Sequence, residues 1–235
     1  MLNELLERYP ALKCIENDIS SAADMLISGF RGGNKLLLCG NGGSCADCEH
    51  IVGELMKGFL GLRPLTDGQK KQMKENCPDI NDGYLSKLQR AVPAISLPSF
   101  TALNTAFCND VDPELVFAQS LMGLGNQNDM LICISTSGNS ANVVAAAKTA
   151  KALGLKTIGL TGKSGGKLKE ICDVCLCVPA SARIRTPVAL TYPILVSEAD
   201  ILKQLLENKI TIDKTIDIYL LNLLAIPHLN NNIFY

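Results

Sequence analysis

The chain has 235 residues, of which 47% are hydrophobic, and its 22 basic and 23 acidic side chains leave a net charge of −1. That balance argues against a polyanion-binding surface and against disorder, and the length suits one large domain or a domain with a helical appendage. No apolar run reaches the roughly 18–20 residues of a membrane span. The opening residues lack the basic and apolar regions of a signal peptide, so the expected location is the cytoplasm, with the ten cysteines as reduced thiols.

Residues 1–30 carry Leu2, Leu5, Leu6, Leu12, Ile15, Ile19, Ala22, Ala23, Leu26 and Ile27 at helical intervals. A break is expected at Pro10 and a stop at Gly29 and Gly32-Gly33. A strand over 35–39 then runs into Gly40-Asn41-Gly42-Gly43-Ser44. A helix over 45–59 follows, with Cys48, Ile51, Val52, Leu55, Met56 and Phe59 on its apolar side. Strand, Gly-rich turn and helix in that order aim free backbone N–H groups and a positive helix terminus at an anion. Ser44 can cap this helix or bind a phosphate oxygen. His50 and Glu54 stand at i, i+4 on one face, with Asp47 on the same side. Such a pair can share a metal, act in general-base catalysis, or be an ordinary surface pair.

Residues 60–92 are polar and punctuated by Gly61, Pro64, Gly68, Pro78 and Gly83, with helices expected near 68–76 and 84–91. This stretch reads as a solvated insertion or as a flap near the ligand site. A short strand over 94–97 and helices over 99–107 and 113–124 come next. The strand–turn–helix device then recurs. A strand over 129–134 leads into Ser135-Thr136-Ser137-Gly138-Asn139-Ser140, and a helix spans 141–153. Four hydroxyls in six residues exceed what a turn requires. A strand over 157–161, the turn Gly162-Lys163-Ser164-Gly165-Gly166, a short helix and a strand over 173–178 complete the alternation. The alternation predicts a parallel sheet covered on both faces, with ligands beyond the carboxyl ends of its strands. A helix is expected over 197–208, and the 210–235 tail carries no functional signal.

Two spacings resemble zinc motifs, Cys45-Ala46-Asp47-Cys48 and Cys172-Asp173-Val174-Cys175. Cys39, Cys133, Cys175 and Cys177 lie in strand-like runs, where Cys acts as a small hydrophobe, and structural thiols are the preferred reading. A dinucleotide fold is disfavoured because the first turn lacks G-x-G-x-x-G spacing, so no nucleotide cofactor is expected.

Together the Gly40–Ser44 turn, His50-x3-Glu54-Leu55, Asn109-Asp110, Ser135 to Val143 and Leu160 to Lys167 resemble the sugar isomerase (SIS) domain, in its phosphoheptose isomerase branch. The resemblance spans about residues 1–180 and breaks at the 65–92 insertion. It implies an α/β fold: a flavodoxin-like three-layer α/β/α sandwich with a five-stranded parallel sheet and N- and C-terminal helices. One SIS domain would occupy 1–209, ahead of a 210–235 tail. It implies a homotetramer with sites between subunits, acting on a sugar phosphate and making no membrane or nucleic-acid contact. Phosphate would be held by Ser135, Thr136, Ser137 and Ser140, with Asn41, Gly42, Gly43 and Ser44 contributing from the first turn. Glu54 would transfer protons, and His50 and Glu54 can be zinc ligands. The resemblance departs in the C-terminal helix, where Asp200 and Tyr192 fall at the family's His and Gln positions. It departs also at Leu97, where the heptose enzymes carry an Asp. Asp200 could replace the His as base or ligand, or be a surface charge. Two functions are therefore weighed: a sugar-phosphate aldose–ketose isomerase, and a non-catalytic relative serving as phosphosugar sensor or as scaffold for a replication initiator.

Overall fold

The computed structural model describes residues 2–58 and 62–179. The N-terminal helical stretch is broken where Pro10 stands. Helix α1 (Leu2–Arg8) gives way to a 3-10 turn (Pro10–Ile15) and then to α2 (Glu16–Arg31). Ile19, Ala22, Ala23 and Leu26 are the buried face of α2, at the helical spacing the sequence predicts. Strand β1 (Leu36–Gly40) enters α3 (Gly43–Met56), and α4 (Asp67–Asn76) and the single turn α5 (Asp82–Leu85) follow. Then come β2 (Ala94–Ser96), α6 (Thr101–Asp110) and α7 (Val116–Leu124). The chain continues with β3 (Met130–Ser135), α8 (Ala141–Ala152), β4 (Lys156–Gly162), α9 (Gly166–Ile171) and β5 (Val174–Val178).

Four expected helices differ in extent, and the one expected over 45–59 starts at Gly43 and ends at Met56. The one expected over 84–91 is only α5, because Gln89 pairs with Pro64 in an antiparallel bridge and the Arg90 N–H donates to the Arg63 carbonyl. Pro98 and Pro113 each sit in the first turn of a short 3-10 segment, which delays the starts of α6 and α7. The helix expected over 197–208 and the 210–235 tail lie outside the described residues.

All five strands are parallel, in the order β2-β1-β3-β4-β5. This is the flavodoxin-like order. From β1 the chain goes to one side for β2 and to the other for β3, so the switch point lies between β1 and β3. Every residue of β1 and β3 is buried, as a strand covered on both faces requires. Leu36, Leu38, Met130, Ile132 and Ile134 pack on one face with α2 and α3 residues such as Leu26, Ile51 and Leu55. Leu37, Cys39, Leu131 and Cys133 pack on the other with Val116 and Leu121 of α7 and Val143 and Ala147 of α8. The result is a three-layer α/β/α sandwich. Among the described residues no helix is long and apolar enough to cross a membrane.

Asp129 fixes the entry to the two central strands. Its buried carboxylate accepts hydrogen bonds from the Lys35 N–H at 3.0 Å and the Asn126 N–H at 2.8 Å, and it pairs with the Lys35 ammonium. Asp173 acts similarly for β4 and β5, accepting from the Thr157 N–H, the Thr157 hydroxyl and the Lys151 ammonium. Burial alone would raise the Asp173 carboxyl, but these donors outweigh it and hold the group below its ordinary value.

Asp129→Ala is expected to lower unfolding stability by about 2 kcal/mol, since it removes the acceptor of two part-buried N–H groups and of a part-buried ammonium. Urea denaturation with an unchanged m-value checks this, and a loss under about 1 kcal/mol would contradict it. For Asp173 the depressed value means that the stabilisation is present above the unfolded-state pKa and disappears as pH falls through the folded one. The stability gap between wild type and Asp173→Asn should therefore close on acidification below about pH 4. A gap that widened there would reverse the sign.

Candidate active site

The parallel register sets Gly40 opposite Ile134, so the turns that follow β1 and β3 emerge side by side at one edge of the sheet. A reciprocal amide pair ties them together. Asn41 Nδ2 donates to Asn142 Oδ1 at 2.8 Å, and Asn142 Nδ2 returns the bond to Asn41 Oδ1 at 2.9 Å. Gly42, with φ 55°, turns the chain into α3, a conformation that strains any residue with a side chain. No side chain caps α3, and none caps α8. Ser44 thus stands inside the first turn of α3 rather than at its cap position, and its N–H donates to the Asn41 carbonyl at 3.0 Å, while in α8 the Val143 N–H donates to Asn142 Oδ1 at 3.0 Å.

In the second turn Ser135 is buried and its hydroxyl lies 3.0 Å from that of Ser140. Thr136 and Ser137 are exposed, and Ser140 is half-buried. Asn139 locks this turn onto the one after β4. Its Nδ2 donates to the Ser137 carbonyl and its Oδ1 accepts from the Lys167 N–H. The Gly162 N–H donates to the Thr136 carbonyl. Gly138, with φ 68°, passes so close to the β4 turn that a Cβ would lie 1.8 Å from the Gly165 carbonyl oxygen.

On α3, His50 Nε2 lies 3.8 Å from Glu54 Oε1. The Glu54 side chain is only 11% exposed, and its buried Oε2 makes no hydrogen bond, the Lys57 ammonium being 3.6 Å away. Asp47, one turn before His50, has its carboxyl raised by burial, an effect that the nearby His50 partly offsets. The sequence places these groups near a ligand because their helix begins at the phosphate turn. In the structure Glu54 stands at the far end of α3, ten residues after Ser44, or about 15 Å along the axis. Cys48 is buried in the core with its thiol pushed up chiefly by burial, and the half-buried Cys45 is raised by burial and then by Glu49. Among the described residues no three His, Cys, Asp or Glu side chains are grouped to hold a metal. Leu97 is fully buried among Leu37, Cys39 and Leu121. It is a core residue where the resemblance would have a sugar-contacting Asp. Asp200 and Tyr192 lie outside the described residues.

SIS domain models match residues 2–95 and 102–199. The phosphoheptose isomerase of Aliarcobacter butzleri is 37% identical over 170 residues, covering 72% of this chain and 76% of that protein.

The chain belongs to the SIS domain family.

A second SIS relative, the phosphoheptose isomerase of Roseiflexus, is 41% identical over 169 residues, covering 71% of this chain and 73% of that protein. The phosphoheptose isomerase structures from Neisseria gonorrhoeae and Francisella tularensis are each 28% identical, with TM-scores of 0.63 and 0.65. Each covers 86% of this chain, and 94% and 96% of those chains respectively. Two residues of this SIS site carry no role in the sequence reading although they stand in its quoted motif. Asn142 and Asn139 fasten the second turn to the first and third. Their partners are 101 and 28 residues away, so no local pattern reveals them.

Gly138→Ala is expected to displace the Ser135–Ser140 turn, because the contact is with backbone and no rotamer relieves it. The variant should fold with reduced stability and bind inorganic phosphate at least about tenfold more weakly, as a misplaced positioning turn does. Calorimetric titration checks this, and unchanged affinity would show that the turn does not hold the anion.

Proposed function

We propose that this chain is a sugar-phosphate aldose–ketose isomerase whose substrate is sedoheptulose 7-phosphate. The observation that carries the reading is the buried Glu54 oxygen without a hydrogen bond, on the helix entered through an anion-facing turn. A buried carboxylate oxygen whose nearest cation, the Lys57 ammonium, stays 3.6 Å away without a hydrogen bond keeps acceptor capacity for a ligand. Relatives 34–41% identical and named phosphoheptose isomerases support the same reading. They favour it over the non-catalytic alternative.

Interconverting a 2-ketose and an aldose moves a proton between C1 and C2 through an enediol. Glu54 is the group that removes and returns that proton. The turns at 40–44 and 135–140 hold the phosphate through backbone N–H groups and the hydroxyls of Ser44, Thr136, Ser137 and Ser140. Ser135 acts by holding Ser140. This clamp positions the reacting carbons, each charge-assisted hydrogen bond contributing roughly 1.5–3 kcal/mol. Asp200 is the second proton-transfer group in this proposal.

The donor types of His50 and Glu54, together with the Glu54 oxygen that makes no hydrogen bond, fit a zinc ion, which would stabilise the developing oxyanion. They supply two of its four ligands. The assembly proposed is a homotetramer with sites shared between subunits. Bond lengths near 1.5 Å give an extended seven-carbon sugar phosphate a span of about 10 Å from phosphorus to C1. Ser44 and Glu54 of one protomer are about 15 Å apart along their helix. A site completed by a second copy resolves that mismatch. The proposed location is the cytoplasm.

Glu54→Gln should abolish turnover of sedoheptulose 7-phosphate while sugar-phosphate binding persists; normal turnover in that variant would remove Glu54 from the mechanism. His50→Ala should lose zinc in metal analysis of the purified protein, and equal zinc content in the two proteins would contradict the ligand role.

A further inference from the structure

Glu54 stands in the last turn of α3, two residues before the helix ends at Met56. Final-turn carbonyls have no partner within a helix, and helix ends fray unless something outside satisfies them. A reacting carboxylate held there is on the least constrained part of its element. Lys57, the residue after the helix, is already extended, so the chain gives no Gly-type cap.

The missing cap is supplied by a side chain six residues beyond Lys57. Arg63 is 4% exposed, and its Nη2 donates to the Glu54 carbonyl at 3.2 Å, the Leu55 carbonyl at 2.8 Å and the Lys57 carbonyl. A guanidinium suits this place twice over. Its Nη2 amino group faces all three carbonyls, and its permanent charge opposes the negative end of the helix dipole. The same helix end is braced by neighbouring residues. The Val92 N–H donates to the Leu55 carbonyl at 2.9 Å, and Gln89 Oε1 accepts from the Gly58 N–H at 2.6 Å. Arg63 and Gln89 are the two feet of the loop that carries α4 and α5, joined by the Pro64–Gln89 bridge and the Arg90–Arg63 backbone bond.

We infer that Arg63 is a positioning residue for the isomerase reaction, holding the Glu54 backbone, and through it the carboxylate, in reacting geometry. The inference rests on the role of Glu54 proposed above. It assigns a task to a segment that otherwise presents a solvated helix, since α4 has no buried residue. The phosphate turns lie at the opposite end of α3, so the effect falls on the chemical step and not on anchoring of the substrate.

The test compares Arg63→Ala and Arg63→Lys with wild type in steady-state isomerisation of sedoheptulose 7-phosphate, below the melting temperature of each. A loss of about 10- to 100-fold in kcat is expected for Arg63→Ala, with KM changed by no more than about twofold. Arg63→Lys should recover part of it, because an ammonium still donates to carbonyls. Asp173→Ala, less stable through an unrelated element, should keep wild-type kcat. Wild-type kcat in Arg63→Ala, or a KM rise matching its kcat loss, would overturn the inference. If Arg63→Ala does not fold, Arg63→Lys decides by the same criteria. Glu54→Gln run alongside separates the two levels. Turnover by Glu54→Gln removes the premise, whereas an inactive Glu54→Gln beside fully active Arg63 variants defeats the positioning role alone.

Discussion

The site depends on the pairing of β1 with β3. Parallel strands have no room for a tight connection, so each must leave the sheet through a turn and a helix, and the turns collect at the carboxyl edge. The register from Leu36 opposite Met130 to Gly40 opposite Ile134 brings the Gly-rich and Ser-rich turns level with each other. Asp129 sets that register at one end of the strands, and the Asn41–Asn142 amide pair closes it at the other. Two helix starts without side-chain N-caps then share one opening, where their positive ends and the hydroxyls of the Ser-rich turn suit an anion.

Much of this was legible in the chain because its signals are local. Apolar runs of strand length, each ending in Gly and Ser and followed by a helical period, specify the strand–turn–helix units wherever they occur. The alternation of such units implies the parallel sheet. Contacts that close over long sequence distances were not legible. Nothing near Asn41 indicates that its amide will meet Asn142. Residues 84–91 look helical by composition, yet Gln89 is taken up by the bridge to Pro64, a tertiary demand that overrides a weak local preference. An arginine in a polar, Gly- and Pro-punctuated stretch reads as solvent-facing. Arg63 is buried because the carbonyls at the end of α3, six to nine residues before it, take its Nη2 donors.

The two ends of α3 do different jobs. Its first turn is entered through Gly42 at φ 55° and carries the proposed phosphate contacts. Its last turn carries Glu54 and is held by Arg63, Gln89 and Val92. One helix thereby holds its Gly-rich start and its Glu54 end about 15 Å apart along the axis. The buried thiols play no part in this. Cys39, Cys48 and Cys133 occupy core positions on the sheet and on α3.

The most direct test of the central claim is deuterium incorporation during turnover. Wild-type protein would be incubated with sedoheptulose 7-phosphate in D2O and followed by proton NMR. A proton-transfer isomerase working through an enediol is predicted to give an aldose phosphate product carrying deuterium at C2. Saturable binding of the sugar phosphate with neither product nor exchange at C1 would contradict the account and make the chain a binding protein on an isomerase fold.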